Sequence, residues 1–506
     1  MSGVKRSSSD TITRQNRNSE MASDFNAMTI GQRRWWKIPR RYHVAIMCYL
    51  AFFIKGWMVT NLWTMFVHIL LAAEEVRKRD FPKSENWTVE DLETHLDLNY
   101  WGGAVIQLPA ALITICFSPH KIMLLSVLLA SLLHMLTPFI IHGPAVGTYF
   151  FLFTQGMIAG PLACACVSIW KEWGPARERT SLLVLAFSGQ IINVYVTFSL
   201  SMFLAEAVGP FSIYYFAGMA GVLWCFLWNT LIYESPTSDP LITIEEQCYL
   251  EENITPDMKE KINLKSIPWK SIFLSMPVIS LCLVFFTVSF LKKVMMFTGI
   301  LINVQLINKD YDPSFSHWVL TFNFVLLVPA SGFLVDYLIN REIFQRLTMR
   351  KFFCTGGFIM HALFLGFSYI PSDLSPIICY IISFIFLSMS LTGYLPTVLE
   401  ISPRYASITI ALCTSVSRLS AIVFDSILEK MKGEGSGYSI EHGDWKIVLI
   451  PCGILGLITA IIFGIFASSD EQPWSLMLLP SRRKTNDSEY YPKNEVENDS
   501  LVSENL

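Results

Sequence analysis

The chain has 506 residues, of which 52% are hydrophobic and only 16% charged, against roughly 25% charged in an ordinary soluble domain. Water-soluble domains of this total length need more charge to cover their surfaces, so the apolar excess must face something other than water. The net charge of −3 and the scattering of basic residues between apolar runs, with no basic stripe, exclude a nucleic-acid interface.

Residues 1–43 are polar and Ser/Arg-rich and lack the apolar core of a signal peptide, so they are expected to be a disordered cytosolic segment. Twelve apolar runs follow, each near the ~20 residues that cross a bilayer as a helix. They are Val44–Leu71, Asp97–Phe117, Ile122–Ile141, Thr148–Trp170, Ser181–Ala207, Phe211–Tyr233, Met276–Val304, His317–Leu338, Phe352–Ile370, Pro376–Leu399, Tyr405–Leu428 and Trp445–Ala467. The second and eighth are the least apolar. The longest internal polar stretch, 234–275 with the next span's approach, divides these spans six and six: an N-terminal half over 44–233 and a C-terminal half over 276–468, followed by a disordered cytosolic tail, 469–506. The expected fold class is an all-α membrane protein of two six-helix halves, with a site between them at mid-membrane. Within the linker, Thr243–Asn253 is expected to form a surface helix, with Thr243 as cap and Glu245 and Glu246 in its first turn.

Most of the eleven cysteines, among them Cys116, Cys164, Cys166, Cys282, Cys413 and Cys452, lie inside apolar runs and act as small hydrophobes. No metal-ligand spacing, nucleophile–base pair or phosphate loop appears, so neither an enzyme nor a cofactor is expected. His68, His134 and His361 are expected to be packed or interfacial. Trp57, Trp63 and Trp101 are open candidates for lining a cavity.

Basic residues set the orientation. Arg33, Arg34, Lys37, Arg40 and Arg41 precede the first span. Lys171, Arg177 and Arg179 follow the fourth, Arg341, Arg346, Arg350 and Lys351 the eighth, and Arg482, Arg483 and Lys484 the twelfth. With twelve spans all of these share one side, expected to be the cytosol with both termini. Arg77, Lys78, Arg79 and Lys83 in the first loop are exceptions. The sequon Asn86-Trp87-Thr88 falls in that loop, on the opposite side, where it can be glycosylated; those at Asn253, Asn486 and Asn498 fall in the cytosol.

Trp173-Gly174-Pro175-Ala176-Arg177-Glu178-Arg179 closes the fourth span, and Gly332-Phe333-Leu334-Val335-Asp336-Tyr337 with Arg341 closes the eighth. Both place charges where helix ends meet the cytosol, suited to pairing with a neighbouring Arg or a helix dipole and so holding a gate. Glu178, Arg179, Asp336, Arg341, Glu400 and Arg404 are the candidate gating residues.

Five stretches in order carry a family likeness: Trp173-x-Pro175-x-x-Glu178-Arg179, Tyr233-Glu234-Ser235-Pro236, Ile267-Pro268-Trp269-Lys270 with Ser275-Met276-Pro277, Ser402-Pro403-Arg404-Tyr405-Ala406-Ser407, and Phe466-Ala467-Ser468 with Gln472-Pro473-Trp474. Over Val44 to Trp474 the chain resembles solute carrier family 17, the vesicular glutamate transporter, sialin and type I sodium-phosphate cotransporter family. The resemblance implies the major facilitator fold, transport of organic anions or phosphate, and coupling to protons, sodium or membrane potential. The family's charged site positions are nevertheless vacated. Val59 stands for an Arg in the first span, and Leu96 for a His in the second, with His95 one step off. In the fourth span Leu152 stands for an Arg and Ala159 for a Glu. Val288 stands for an Arg in the seventh.

Cations appear elsewhere. Lys55 lies four residues before Val59 and Lys292 four after Val288, each on the same helical face and ~6 Å along the axis. A third, Arg418, lies in the eleventh span, with Asp425 seven residues on sharing its face. A mid-membrane cation costs at least ~2.5 kcal/mol on insertion scales, so it usually faces the bundle interior. Lys55, Lys292 and Arg418 are the substrate-binding candidates, with Lys55 and Lys292 expected to border one central cavity. The reading is a monomeric secondary transporter of a small organic anion or phosphate in a vesicle or plasma membrane, with a proton or sodium as possible coupling ion. A non-transporting scaffold or receptor and a carrier of a neutral solute are the alternatives.

Overall fold

The computed structural model describes residues 38–75, 89–140, 145–254, 262–307, 322–367, 375–431 and 445–476. Asn86, Asn486 and Asn498 lie outside them, as do the side chains of Trp63 and His68. Each expected span is a helix or a broken helix. The first is Arg40–Glu75, the third Pro119–Ile140, the fifth Arg179–Ala207 and the sixth Ser212–Leu231. The seventh is Met276–Ile307, the ninth Arg346–Phe367, the eleventh Ala406–Met431 and the twelfth Trp445–Phe466. Seven helices among the described residues are long and apolar enough on their own to cross a bilayer, and a bent pair makes an eighth. The sixth and ninth dilute their apolar residues with polar ones such as Asn229 and Arg350, and the eighth is short in its described part.

The broken spans break for identifiable reasons. The second bends by 42° between Asp97–Val105 and Gln107–Cys116, just before Pro109. The fourth divides into Ala145–Ala159 and Leu162–Trp173 around Pro161. Proline has no N–H for the carbonyl four residues back, and the Met157 carbonyl takes the Gly160 N–H at 3.2 Å instead. The eighth opens with a π-helical turn, Asn323–Leu327, before Val328–Asn340. The tenth runs as Ser375–Met389, Leu391–Tyr394 and Thr397–Ile401 around Pro396. Pro396 leaves the Thr392 carbonyl without its helical donor, and the Arg350 guanidinium reaches it at 3.4 Å. In a bilayer such freed groups must be satisfied inside the protein.

Spans within a half meet through small residues, because lipid gives helices no hydrophobic reason to associate and close packing must do so. Gly189 lets the fifth span lie against the Tyr49 carbonyl of the first, and Gly102 the second against the Phe153 carbonyl of the fourth. The two halves meet along two seams, the fifth span on the eighth and the second on the eleventh. Ile244–Asn253 is the linker helix, and Thr243 Oγ1 accepts the Glu246 N–H at 3.3 Å. Glu246 also caps the first span, accepting the Arg40 and Arg41 N–H groups at 2.8 and 3.1 Å. Asp239 holds the Arg40 side chain at 2.7 Å. The linker is thus tied to the N-terminal half at the end of the bundle that carries Glu178.

Candidate functional site

At that end Glu178 is a hub. It accepts bonds from Arg41 Nε at 2.7 Å, Arg41 Nη2 at 3.0 Å, Tyr42 Oη at 2.9 Å and Tyr249 Oη at 3.0 Å. Burial opposes its charge, but these donors and the Arg41 charge outweigh burial and hold the carboxyl below its usual range. Burial, then the Glu178 charge, pushes the Tyr249 phenol up to about 12. These partners belong to the first span and the linker, so Glu178 ties the linker to its own half.

The cross-half contacts lie beside it. The Asp336 carboxylate accepts the Ser181 N–H at 2.7 Å, capping the N-terminus of the fifth span from the other half, where the helix dipole favours a negative charge. Gly332 permits this approach: a Cβ there would stand 3.1 Å from Ser181 Cα and 3.2 Å from Val184 Cβ. Asn340 Nδ2 donates to the Arg177 carbonyl at 2.8 Å, and Lys171 Nζ to the Arg404 carbonyl at 2.8 Å. Arg350, only 1% exposed, pairs with Glu400 through Nη2 at 2.7 Å and Nε at 3.1 Å and reaches Thr180 Oγ1 at 2.8 Å. Arg346 stands 3.8 Å from Glu400, and Arg179 is buried within the field of Glu400, Asp336 and both arginines. The Arg404 guanidinium stands 6.0 Å from the Tyr405 ring.

Arg341 is exposed and lies over its own helix's Tyr337, 5.5 Å from the ring. It forms no ion pair with Asp336 among the described residues; Arg350, buried like Arg179 at this end, is the base that pairs with Glu400. The sequence carried a signal for that, since Arg346 and Arg350 sit one turn apart opposite Glu400 in the next span, but Arg350 read there only as an orientation charge.

Between the halves is a cavity of about 110 Å³. Phe187 and Gln190 line it from the fifth span, and Ser289, Lys292, Tyr394 and Ser417 from the C-terminal half. Lys292 Nζ donates to the Gln190 carbonyl at 3.3 Å, and Ser289 and Ser417 share a hydrogen bond. Lys55 does not border this cavity. It lines a small recess with Met58, Ser126, Ala130 and Leu162, all from its own half. The cation whose charge acts on Lys55 is Arg418. Arg418 packs on the second span, where a Cβ at Gly103 would come within 2.9 Å of its guanidinium, and lies 5.8 Å from the Tyr100 ring. Among the described residues neither Lys55 nor Arg418 has a hydrogen-bond or ion-pair partner.

Asp425 does not serve Arg418 either. Seven residues along a helix share a face but are about 10 Å apart along the axis, beyond ion-pair reach. Asp425 instead pairs with Lys293, which also donates to the Ala421 carbonyl at 3.1 Å and stands 4.8 Å from the Tyr100 ring. Along the same seam Thr414 Oγ1 donates to Gln107 Oε1 at 2.9 Å and Ser415 Oγ to the Ala104 carbonyl at 3.2 Å.

The buried histidines are packed. His134 contacts Asn61 Nδ2 at 3.1 Å and Gln155 Nε2 at 3.0 Å, and His361 contacts Ser383 at 2.7 Å. Trp57 donates to Ser201, while Trp101 is turned outward.

Residues 48–424 match the Major Facilitator Superfamily. The chain is 28% identical to vesicular glutamate transporter 2.1 of Danio rerio over 486 residues, covering 92% of this chain and 82% of that one. It is 28% identical to vesicular glutamate transporter 2 of Homo sapiens, covering 87% and 76%. The fold superposes on the proton:xylose symporter XylE bound to 6-bromo-6-deoxy-D-glucose with a TM-score of 0.62 at 12% identity, over 85% of this chain and 97% of that one. The chain belongs to the Major Facilitator Superfamily, as a divergent relative of the vesicular glutamate transporters and a multi-pass membrane transporter rather than an enzyme.

Proposed function

We propose that the protein is a secondary transporter of a small organic anion, or of phosphate, working by alternating access as a monomer, with Arg418 as the principal anion ligand and Lys55 and Lys292 as the supporting cations. The observation that carries this reading is Arg418 itself: a guanidinium in the middle of a membrane helix with no hydrogen bond or ion pair among the described residues. Such a group is costly at that depth and offers five donors in a fork that matches a carboxylate or phosphate. Lys55 within its field strengthens the pull on an anion. The names of the glutamate-transporting relatives agree with this substrate class.

The basic residues at span ends assign the Glu178 end to the cytosol, together with both termini and the linker, 234–275. Asn86 is then on the far side and available for glycosylation, and the membrane is that of a vesicle or the cell surface. A proton or sodium gradient, or the membrane potential, supplies the driving force.

The test is uptake by the full chain in proteoliposomes, with glutamate, inorganic phosphate and glucose offered under imposed pH, sodium and potential gradients. Glutamate or phosphate should accumulate and glucose should not. Arg418→Gln should weaken the anion by about tenfold or more, the loss of one to two charge-assisted bonds, and Arg418→Lys should restore part of it. Glucose uptake that survives Arg418→Gln would support the neutral-solute reading instead.

A further inference from the structure

We propose that Tyr100 is the gate residue of the end opposite Glu178, and that an anion on Arg418 releases it. The second half of this statement rests on the function proposed above; the first does not.

The geometry points to a latch. Tyr100 belongs to the second span, in the N-terminal half, yet the two cations over its ring come from the C-terminal half: Lys293 Nζ at 4.8 Å from the seventh span and Arg418 Cζ at 5.8 Å from the eleventh. At 1.5 Å per residue, Arg418 is about 18 Å along its helix from Ala406, and Lys293 about 26 Å along its own from Met276, both helices starting at the Glu178 end. The ring therefore lies on the seam more than half-way across the bundle from the Glu178 end, about level with Lys292 and Ser417 of the cavity. A cation over a ring face is attracted by the ring's quadrupole, most strongly where water is excluded.

The two cations play different parts. Lys293 is fixed by Asp425 and the Ala421 carbonyl, so it is a permanent post for the ring. Arg418 donates no hydrogen bond among the described residues, and its guanidinium lies 5.8 Å from the ring. A carboxylate or phosphate accepting two guanidinium N–H groups binds more strongly than a ring face does, so it draws Arg418 away from Tyr100. The contacts on this seam that do not involve Arg418 include Lys293 on the ring and two neutral hydroxyl bonds, from Thr414 and Ser415. The other end is held by Asp336 and Arg350, both charged. Substrate on Arg418 therefore loosens the Tyr100 end and leaves the Glu178 end closed, which is the order alternating access requires.

The test is hydrogen–deuterium exchange of the full chain in lipid nanodiscs, with wild type, Tyr100→Phe and Tyr100→Leu, each alone, with glutamate and with inorganic phosphate. Without anion, Tyr100→Leu should speed exchange in peptides covering 97–105 and 418–428 by about fivefold, roughly 1 kcal/mol of lost closure. Peptides covering 179–185 and 332–340 should not change, and Tyr100→Phe, which keeps the ring, should match wild type. Unchanged exchange in Tyr100→Leu overturns the latch. A rise at both ends together also overturns it, since that is general loosening rather than a gate. In wild type, glutamate or phosphate should reproduce the rise at the Tyr100 end. If Tyr100→Leu opens that end while neither anion affects wild type, the latch stands and its control by an anion is overturned.

Discussion

Replacing Arg350 with Met tests the most deeply buried charge of the Glu178 end. Arg350 is 1% exposed and serves three groups on different spans: Glu400, the Thr392 carbonyl freed by Pro396, and the Thr180 hydroxyl across the seam. Its loss leaves Glu400, 5% exposed, without its bidentate partner, with Arg346 at 3.8 Å and the charge of buried Arg179 still near it. Breaking one partner out of a buried pair costs about 3–5 kcal/mol. For a cooperative unit the size of one half, each kcal/mol lowers the melting temperature by about 2–4 °C, so Arg350→Met should melt roughly 6–20 °C below wild type in detergent. Adding Glu400→Leu removes the stranded carboxylate and should recover most of that, leaving about 1–3 kcal/mol for the unsatisfied Thr392 carbonyl. Melting followed by fluorescence-detected size exclusion measures all three proteins. A single variant within about 2 °C of wild type, or a double variant less stable than the single, would refute the buried-pair argument.

Asp336→Asn keeps an acceptor for the Ser181 N–H but removes the charge from the helix terminus, worth about 0.3–2 kcal/mol of closure; turnover in proteoliposomes should fall while protein abundance stays normal, and unchanged kinetics would reduce the stretch to an anchor. Glu178 has its carboxyl held below 4.5, so the linker latch keeps its full contribution above that value and loses it as pH falls through the depressed one; melting should be flat in this respect from pH 5 to 8, and Tyr249→Phe should lower it slightly by deleting one of the hub's bonds, whereas a loss of the latch near pH 6 would contradict the assignment. Asn86→Gln should abolish a glycosidase-sensitive mass shift in protein from a glycosylating host, and a shift that persists and maps to Asn253 would invert the proposed topology.

The architecture was legible because its signals are long. A run of about twenty apolar residues has one reading in a bilayer, and twelve of them split by a polar linker leave little freedom. Thr243 with Glu245 and Glu246 marked the linker helix by the same local chemistry that forms it. The breaks were less visible. Pro109, Pro161 and Pro396 could be seen, but not which donor would repair each gap, because Arg350 and Thr392 are separated by a turn and most of two spans.

The site was legible as a set of residue types but not as a set of pairs. A sequence gives each intramembrane charge a depth and, modulo the unknown rotation of its helix, a direction. Lys292 and Lys293 show what that leaves open: adjacent residues point about 100° apart on a helix, and one meets the Gln190 carbonyl across the cavity while the other takes Asp425 inside its own half. Lys55 shows the same limit from the other direction. From the sequence its face and depth are expected to bring it to the cavity of Lys292, yet it lines a recess with residues of its own half, and the cation whose charge acts on it is Arg418, on a different span. Pairing depends on how two helices are rotated against each other, and in an alternating-access transporter that relation belongs to a state rather than to the sequence. The contacts that fix this state, Asp336 on Ser181 at one end and Tyr100 under Lys293 and Arg418 at the other, join halves that must separate in turn. If Arg418 holds the solute as proposed, its guanidinium, which has no hydrogen bond or ion pair among the described residues, is the group whose surroundings change most when the solute arrives.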